Sequence, residues 1–275
     1  MMYDFFEDDF FTLYERTPLM WEAFSGDLET VSKLIKSGED PNTKDVYGWN
    51  ALMPAVANNT PEVISLLLKA GAEVNIVTEP EGTTPLMMAA EMREPEVIKM
   101  LISAGADVNA QDKHGMTPIT FAATRNSPDT VSLLLDEGAD VHIRSKDKRT
   151  PLIGAAMENI PEVMDILIRA SVDVNAADIE GDTALMMAAA ENTSDAVRLL
   201  IYAGADLNCR DTDGITALMF AAGNYKHETL SPLLDAGADV KPKDRHGKRA
   251  VDYARHNPLL ISSPVLKRLE ELSKL

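Results

Sequence analysis

The chain holds a single cysteine, two tryptophans and aromatic residues at only 5%, and none of its apolar runs approaches the roughly 18 residues of a membrane-spanning helix. One cysteine, Cys209, excludes an internal disulfide framework and suits a reducing compartment. Basic residues are also scarce, since 26 Lys and Arg face 44 Asp and Glu for a net charge of −18, which argues against general nucleic-acid binding. The opening MMYDFFEDDFF is acidic where a secretory leader would be basic. A cytoplasmic location is therefore expected, with leaderless secretion as an effector left open. No H-E-x-x-H, glycine-rich phosphate loop, kinase set or G-x-S-x-G occurs. His114, His142, His227, His246 and His256 lack ligand spacing. No catalytic, cofactor-binding or metal residue is expected, and the chain reads as non-enzymatic.

What is present is repetition. The stretch from Gly82 to Asn109, GTTPLMMAAEMREPEVIKMLISAGADVN, returns at Gly181 as GDTALMMAAAENTSDAVRLLIYAGADLN. One position of this unit is occupied in turn by Pro18, Ala51, Pro85, Pro118, Pro151, Ala184, Ala217 and Ala250, at spacings of 33, 34, 33, 33, 33, 33 and 33 residues. A fixed period of this length means stacked supersecondary units. Within the unit, Thr84 is a good N-cap and Pro85 suits the first helical position, so a short helix starts there. Leu86, Ala89 and Ala90 give it a small apolar face. A second helix opens at Pro95-Glu96, buries Val97, Ile98, Leu101 and Ile102, and ends at a left-handed Gly105. The Ala-Asp-Val-Asn run and the turn at Gly115 form an extended finger leading to the next Thr-Pro.

In order and in length, the TPL..AA, V..LL and GADVN signatures resemble an ankyrin repeat. The resemblance covers residues 17 to 257, with 1 to 16 as an aromatic and acidic capping segment and 258 to 275 as a capping helix. It implies an all-α solenoid of about seven to eight repeats including caps, built from paired antiparallel helices with projecting β-turn fingers. The LMMAA and N-x-P-E-V wording, with little use of TPLH, is similar to bacterial ankyrin proteins. The histidine of TPLH is replaced by Met53, Met87, Thr120, Ile153, Met186 and Met219, so apolar packing is expected in place of its hydrogen bonds.

Several copies depart from the pattern. Pro54 lies inside a first helix, where it should cost a backbone bond. The 34-residue spacing should make the finger near Val77 to Glu79 bulge. Asn59, Asn126, Asn159 and Asn192 stand at left-handed turns between helices. In the fifth repeat Lys148 and Ser171 replace glycines at left-handed positions, which predicts a weaker or reshaped unit. Pro232 should delay a helix so that Ser231 caps it. Near the C-terminus Ser263 should cap a closing helix that turns Val265, Leu266, Leu269 and Leu272 inward.

Charge follows the repeat as well, because 20 of the 44 acids fall at three recurring positions, one of them Asp45, Glu79, Asp112, Asp178, Asp211 and Asp244. Residues 241 to 275 carry nine basic against four acidic residues, so residues 1 to 240 hold −23 of the net charge.

In ankyrin proteins the resemblance places binding on finger tips and exposed first-helix positions, which line the concave face. Carried onto this sequence, the partner-binding candidates are Tyr47, Trp49, Met92, His114, Met116, Arg125, Lys146, Arg149, Met157, Ile179 and Ile215. Apolar residues on exposed fingers, together with a basic fifth finger, point to a partner protein, one with a basic surface fitting the net charge. The expectation is an adaptor or stoichiometric inhibitor, with an acidic nucleic-acid mimic as the alternative. Neither direct nucleic-acid nor membrane binding is expected. The chain should be a monomer, with self-association open through Tyr3, Phe5, Phe6, Phe10, Phe11 and Tyr14.

Overall fold

The computed structural model describes residues 15–125, 127–191, 194–224 and 227–274. The expectations for Asn126, Asn192 and the aromatic segment 1–14 lie outside the described residues.

Two compact units divide the chain. The first, residues 1–125 with 129–140, holds α1 (Pro18–Ser25), α2 (Leu28–Lys36), α3 (Leu52–Ala57), α4 (Pro61–Lys69), α5 (Pro85–Met92), α6 (Pro95–Ser103), α7 (Pro118–Thr124) and most of α8 (Pro128–Asp136). The inner helices stack in sequence, α1 on α3, α3 on α5 and α5 on α7, while α2, α4 and α6 form an outer row. The second unit, residues 126–128 with 141–275, repeats the arrangement. Its inner row is α9 (Pro151–Met157), α11 (Ala184–Glu191), α13 (Ala217–Gly223) and α15 (Ala250–Arg255). Its outer row is α10 (Pro161–Arg169), α12 (Ser194–Tyr202), α14 (Leu230–Asp235) and α16 (Pro264–Leu272).

The unit of sequence forms the local structure it encodes. Thr84 caps α5 by accepting the Met87 N–H, Pro85 is its first residue, and Leu86, Met87, Met88, Ala89 and Ala90 are buried. Alanine on this face lets the next inner helix approach closely, so the core is a run of thin apolar layers. The outer helix α6 buries Val97, Ile98 and Leu101, whereas Ile102 is only half-buried. Gly105 ends it at φ +91°. Side-chain bonds between repeats complete the stack. The Asn75 amide donates to Gly105 O at 3.0 Å and its oxygen accepts the Asp107 N–H at 2.8 Å, and Asn42 spans the same way to Gly71 and Glu73.

Where the copies disagree, the structure corrects several expectations. The Thr-Pro methionines do more than pack, because the Sδ atoms of Met20 and Met87 accept the backbone N–H of Thr17 and Thr84 at 3.5 and 3.4 Å. Pro54 removes the bond that Met88 makes to Thr84 in the next repeat, and α3 starts one residue late at Leu52. Asn50 takes over the cap by accepting the Leu52 N–H. In the longer finger Thr78, not Glu79, fills the turn-opening place, with its N–H on Thr83 O and its Oγ1 accepting the Thr83 N–H.

The fifth repeat is not reshaped. Lys148 and Ser171 take φ +59° and +63°, the left-handed conformation that glycine occupies elsewhere, and the Lys148 N–H still closes the turn on Ser145 O at 2.8 Å. Asn59 and Asn159 hold the left-handed turn as expected, and in the third repeat Arg93 does so at φ +64°. Pro232 does not move the cap to Ser231. A 3-10 turn over His227–Thr229 precedes α14, whose N-cap is Thr229 and whose third residue is Pro232. In α16 Ser263 does cap, but only Leu269 is fully buried, with Val265, Leu266 and Leu272 half-buried along a face that ends the stack.

Candidate functional site

Most fingers are held from their base by one aspartate, with Thr78 and Ser145 taking its place in the third and fifth. Asp45 Oδ1 accepts the N–H groups of Tyr47 and Trp49, both at 2.9 Å, and Asp112, Asp178, Asp211 and Asp244 serve their own fingers in the same way. The acids at this position are thus consumed by architecture. Successive tips are joined by single backbone bonds, from Glu79 N–H to Tyr47 O at 2.7 Å and from Lys113 N–H to Glu81 O at 2.8 Å in the first unit. Ile179 to Asp147, Thr212 to Glu180 and Arg245 to Asp213 do the same in the second, all at 2.8 Å. Side chains at equivalent finger positions therefore line up in rows.

In the first unit this row encloses a groove of about 330 Å³ between the second and third fingers and α5, lined by Arg16, Tyr47, Trp49, Glu79, Met88 and Glu91 among others. Tyr47 is 38% exposed, Trp49 half-buried. The Arg16 guanidinium lies over the Trp49 ring, 5.3 Å from its centroid, and Arg16 Nε meets Asp45 Oδ2 at 3.3 Å. That ion pair is buried, with side-chain exposures of 8% and 0%. Glu81 on the rim is engaged by Lys113 at 2.5 Å and His114 at 3.4 Å, and the Lys113 hydrogen bond holds its carboxyl below the usual range. Arg125 pairs with Glu91 Oε1. Of the candidates chosen from sequence, Tyr47 and Trp49 thus form the groove, and His114 and Arg125 reach its rim through Glu81 and Glu91. Met92 and Met116 are half-buried outside its lining.

The second unit carries the remaining candidates. Ile179 is exposed at 59%, Lys146 is exposed, and Met157 and Ile215 are half-buried. The basic fifth finger proves largely structural. Arg144 Nε donates to Lys148 O at 2.8 Å and its other end reaches Ala177 O, while Arg149 pairs with the buried Asp178 at 3.3 Å.

Arg16 and Arg149 occupy the same repeat position, two residues before an inner helix and 29 before the aspartate each one pairs with. Asp182 stands at that position in the sixth repeat, where an acid faces the aspartates instead. Its Oδ1 is buried without a hydrogen-bond partner. Burial first, then the carboxylates of Asp178, Asp211 and Glu180, push Asp182 up to about 6, with Arg149 acting in the opposite direction. Cys209 is partly exposed, and burial followed by the charge of Asp206 pushes its thiol up, the reverse of an activated nucleophile. Among the described residues no group of His, Cys, Asp and Glu has the arrangement of a metal site, and no helix is long and apolar enough to cross a membrane.

Arg16 and Met88, with the carboxylates of Glu79, Glu81 and Glu91, line the site without having been among the candidates chosen from sequence. Arg16 sits at the edge of the atypical N-terminal segment, and its 29-residue offset to Asp45, shared with Arg149 and Asp178, is the signal that could have found it. Met88 reads as core by its helical position and is mostly buried, yet it forms the floor of the groove.

The family model described as Ankyrin repeats (3 copies) matches four overlapping stretches, residues 19–112, 62–145, 119–211 and 185–262. The crystal structure of the human ASB11 ankyrin repeat domain is similar at a TM-score of 0.74 and 26% identity, covering 82% of this chain and 99% of that one. Curated relatives match over shorter stretches. The rat ankyrin repeat and SAM domain-containing protein 6 is 41% identical over 61 residues, which is 22% of this chain and 7% of the relative. The human mitochondrial disaggregase is 40% identical over 58 residues, 21% of this chain and 8% of the relative. The matched stretch thus spans under a tenth of either relative.

Proposed function

The chain belongs to the ankyrin repeat family, whose repeats are in general protein–protein interaction modules, and from this premise we propose that it is a non-enzymatic adaptor or stoichiometric inhibitor that binds a partner protein through its fingers and inner-helix ends. The observation that carries the reading is the groove of the first unit. Tyr47, Trp49 and Met88 line a concave, largely apolar recess between two fingers. Interfaces concentrate their binding energy in aromatic residues seated beside such recesses, at about 2 kcal/mol or more for each anchor truncated. A cytoplasmic setting fits the lone thiol. An acidic protein would prefer a partner with a basic surface.

Affinity capture from the source cell, comparing the native chain with the double variant Trp49→Ala, Ile179→Ala, tests this directly. A specifically captured protein should be lost from the variant, with its affinity falling at least about 30-fold in a purified titration. Binding undiminished in a folded double variant overturns the assignment to the fingers.

A further inference from the structure

We propose that the groove between the second and third fingers takes a single arginine side chain of the partner polypeptide, its hydrocarbon stem against Trp49 and Met88 and its guanidinium at Glu79 and Glu91. The inference rests on the reading of the fingers as a protein-binding surface and specifies the chemistry that one part of it accepts.

The lining divides into two kinds of surface. Trp49, Tyr47 and Met88 supply apolar area, whereas the carboxylates of Glu79, Glu81 and Glu91 stand with Thr78 and Thr83 around it. A purely aliphatic occupant would satisfy the apolar floor but strip water from the carboxylates without replacing its hydrogen bonds. An acidic occupant would be repelled. A long cationic side chain satisfies both parts, because its stem covers apolar surface while its charged end remains with acceptors. The groove's volume of about 330 Å³ has room for one such side chain.

Not every acid here is available, and the pairing identifies those that are. Asp45 is saturated by two finger N–H groups and Arg16, so this buried pair contributes no net charge to the groove. Both oxygens of Glu81 are engaged, by Lys113 and His114. Glu91 gives one oxygen to Arg125, leaving Oε2. Glu79 is in no ion pair among the described residues, although its backbone N–H is fixed on Tyr47 O at 2.7 Å, which anchors that residue beside the aromatic pair. One free carboxylate and one free carboxylate oxygen make a site for a forked donor, the geometry in which guanidinium exceeds ammonium.

The chain also contains the interaction in its own structure. Arg16 over Trp49, with Asp45 as its counter-ion, shows this indole serving as a platform for guanidinium. The same arginine–aspartate pairing recurs at Arg149 and Asp178. The incoming side chain would make with Trp49 the kind of contact that Arg16, itself part of the groove lining and neutralised by Asp45, already makes from the chain.

The test titrates the full-length protein with four capped tripeptides, acetyl-Gly-X-Gly-amide, in which X is arginine, lysine, citrulline or norleucine, followed by NMR at the Trp49 indole N–H and the Met88 methyl. The arginine peptide should move both signals saturably. Citrulline, the same shape without the charge, and norleucine, the stem alone, should each bind at least tenfold more weakly. The variant Glu79→Gln, Glu91→Gln should reduce arginine binding to the citrulline level with dispersion of the spectrum retained. Glu96→Gln, Glu162→Gln, which removes equal charge from the outer helices, should leave it within twofold. Equal affinity for arginine and citrulline, shifts confined to other residues, or equal loss in the two charge variants would overturn the proposal. Should the arginine peptide fail while Trp49→Ala, Ile179→Ala still abolishes partner capture, only the arginine assignment falls. Saturable arginine binding at Trp49 together with undiminished capture by the double variant would instead overturn the functional reading.

Discussion

At the scale of single residues, the clearest consequence follows from Asp182. Its charge is opposed by burial and by the carboxylates of Asp178, Asp211 and Glu180, and its pKa lies near 6 against an ordinary 3.8. The folded chain therefore holds this proton more tightly than the unfolded one, so the neutral form carries no penalty at low pH. The penalty develops as pH rises from about 4 and is complete above about 6. Because the side chain is half-exposed, solvent screening leaves about 1 kcal/mol of the formal shift. Asp182→Asn should stabilise the protein by about that amount at pH 7.5 and by nothing measurable at pH 4, read from urea midpoints at the two values. Glycines supply a second contrast at this scale. Gly105 (φ +91°) has open space where a Cβ would go, whereas a Cβ on Gly181 (φ +87°) would lie 2.9 Å from the Asp211 Cα. Alanine at Gly105 should cost about 1 kcal/mol of conformational strain. Alanine at Gly181 should cost visibly more, since the adjoining finger must also shift, and thermal midpoints of the two variants decide the order.

At the scale of elements, repeats are tied by bonds that no single repeat can satisfy alone. Asn75 both donates to Gly105 O and accepts from the Asp107 N–H. Asn75→Ala should cost about 1–3 kcal/mol, and amide exchange should quicken first at Asp107. The fifth repeat is the other place to look. Lys148 and Ser171 keep the left-handed turn without glycine, each at about 1 kcal/mol, so this repeat should exchange faster than its neighbours, and Lys148→Gly with Ser171→Gly should slow it. Equal protection across the repeats would refute the argument.

These elements also mark what the sequence could tell. Thr84, Pro85 and Gly105 announced a helix pair because capping and left-handed turns are local chemistry. Pro232 misled because a 3-10 turn, which no single residue signals, absorbs the delay and leaves Thr229 as the cap. The site was half legible. Tyr47 and Trp49 stood out as apolar residues on a finger, but the groove depends on Arg16 meeting Asp45 and on Met88 from a core face, both contacts across repeats. The basic fifth finger looked like a binding feature, yet Arg144 and Arg149 satisfy carbonyls and a carboxylate of the following finger. Their charge was visible in the sequence and their partners were not.

At the scale of the whole molecule, charge sets how a partner is met. The net −18 is spread over the repeat, and although several finger-base aspartates are hydrogen-bonded to backbone N–H groups, the summed charge sets the field at a distance. Residues 1 to 240 carry −23 and residues 241 to 275 carry +5, and part of the basic excess is neutralised locally, since Arg245 pairs with Asp213 at 2.6 Å, Arg255 with Glu270 at 3.0 Å and Arg268 with Asp235 at 2.5 Å. A basic partner approaching the fingers is thus attracted over roughly a Debye length, about 10 Å at 0.1 M salt and ~3 Å at 1 M. Steering of this kind acts on association, whereas apolar contacts such as those proposed at Trp49 and Met88 act on dissociation. Raising salt from 0.05 to 0.5 M should therefore slow association of the captured partner by at least tenfold while changing its dissociation rate by less than threefold, as read by surface plasmon resonance. Trp49→Ala should do the opposite, speeding dissociation with association nearly unchanged. An association rate indifferent to salt would remove charge steering from the account and leave the groove to act through shape alone.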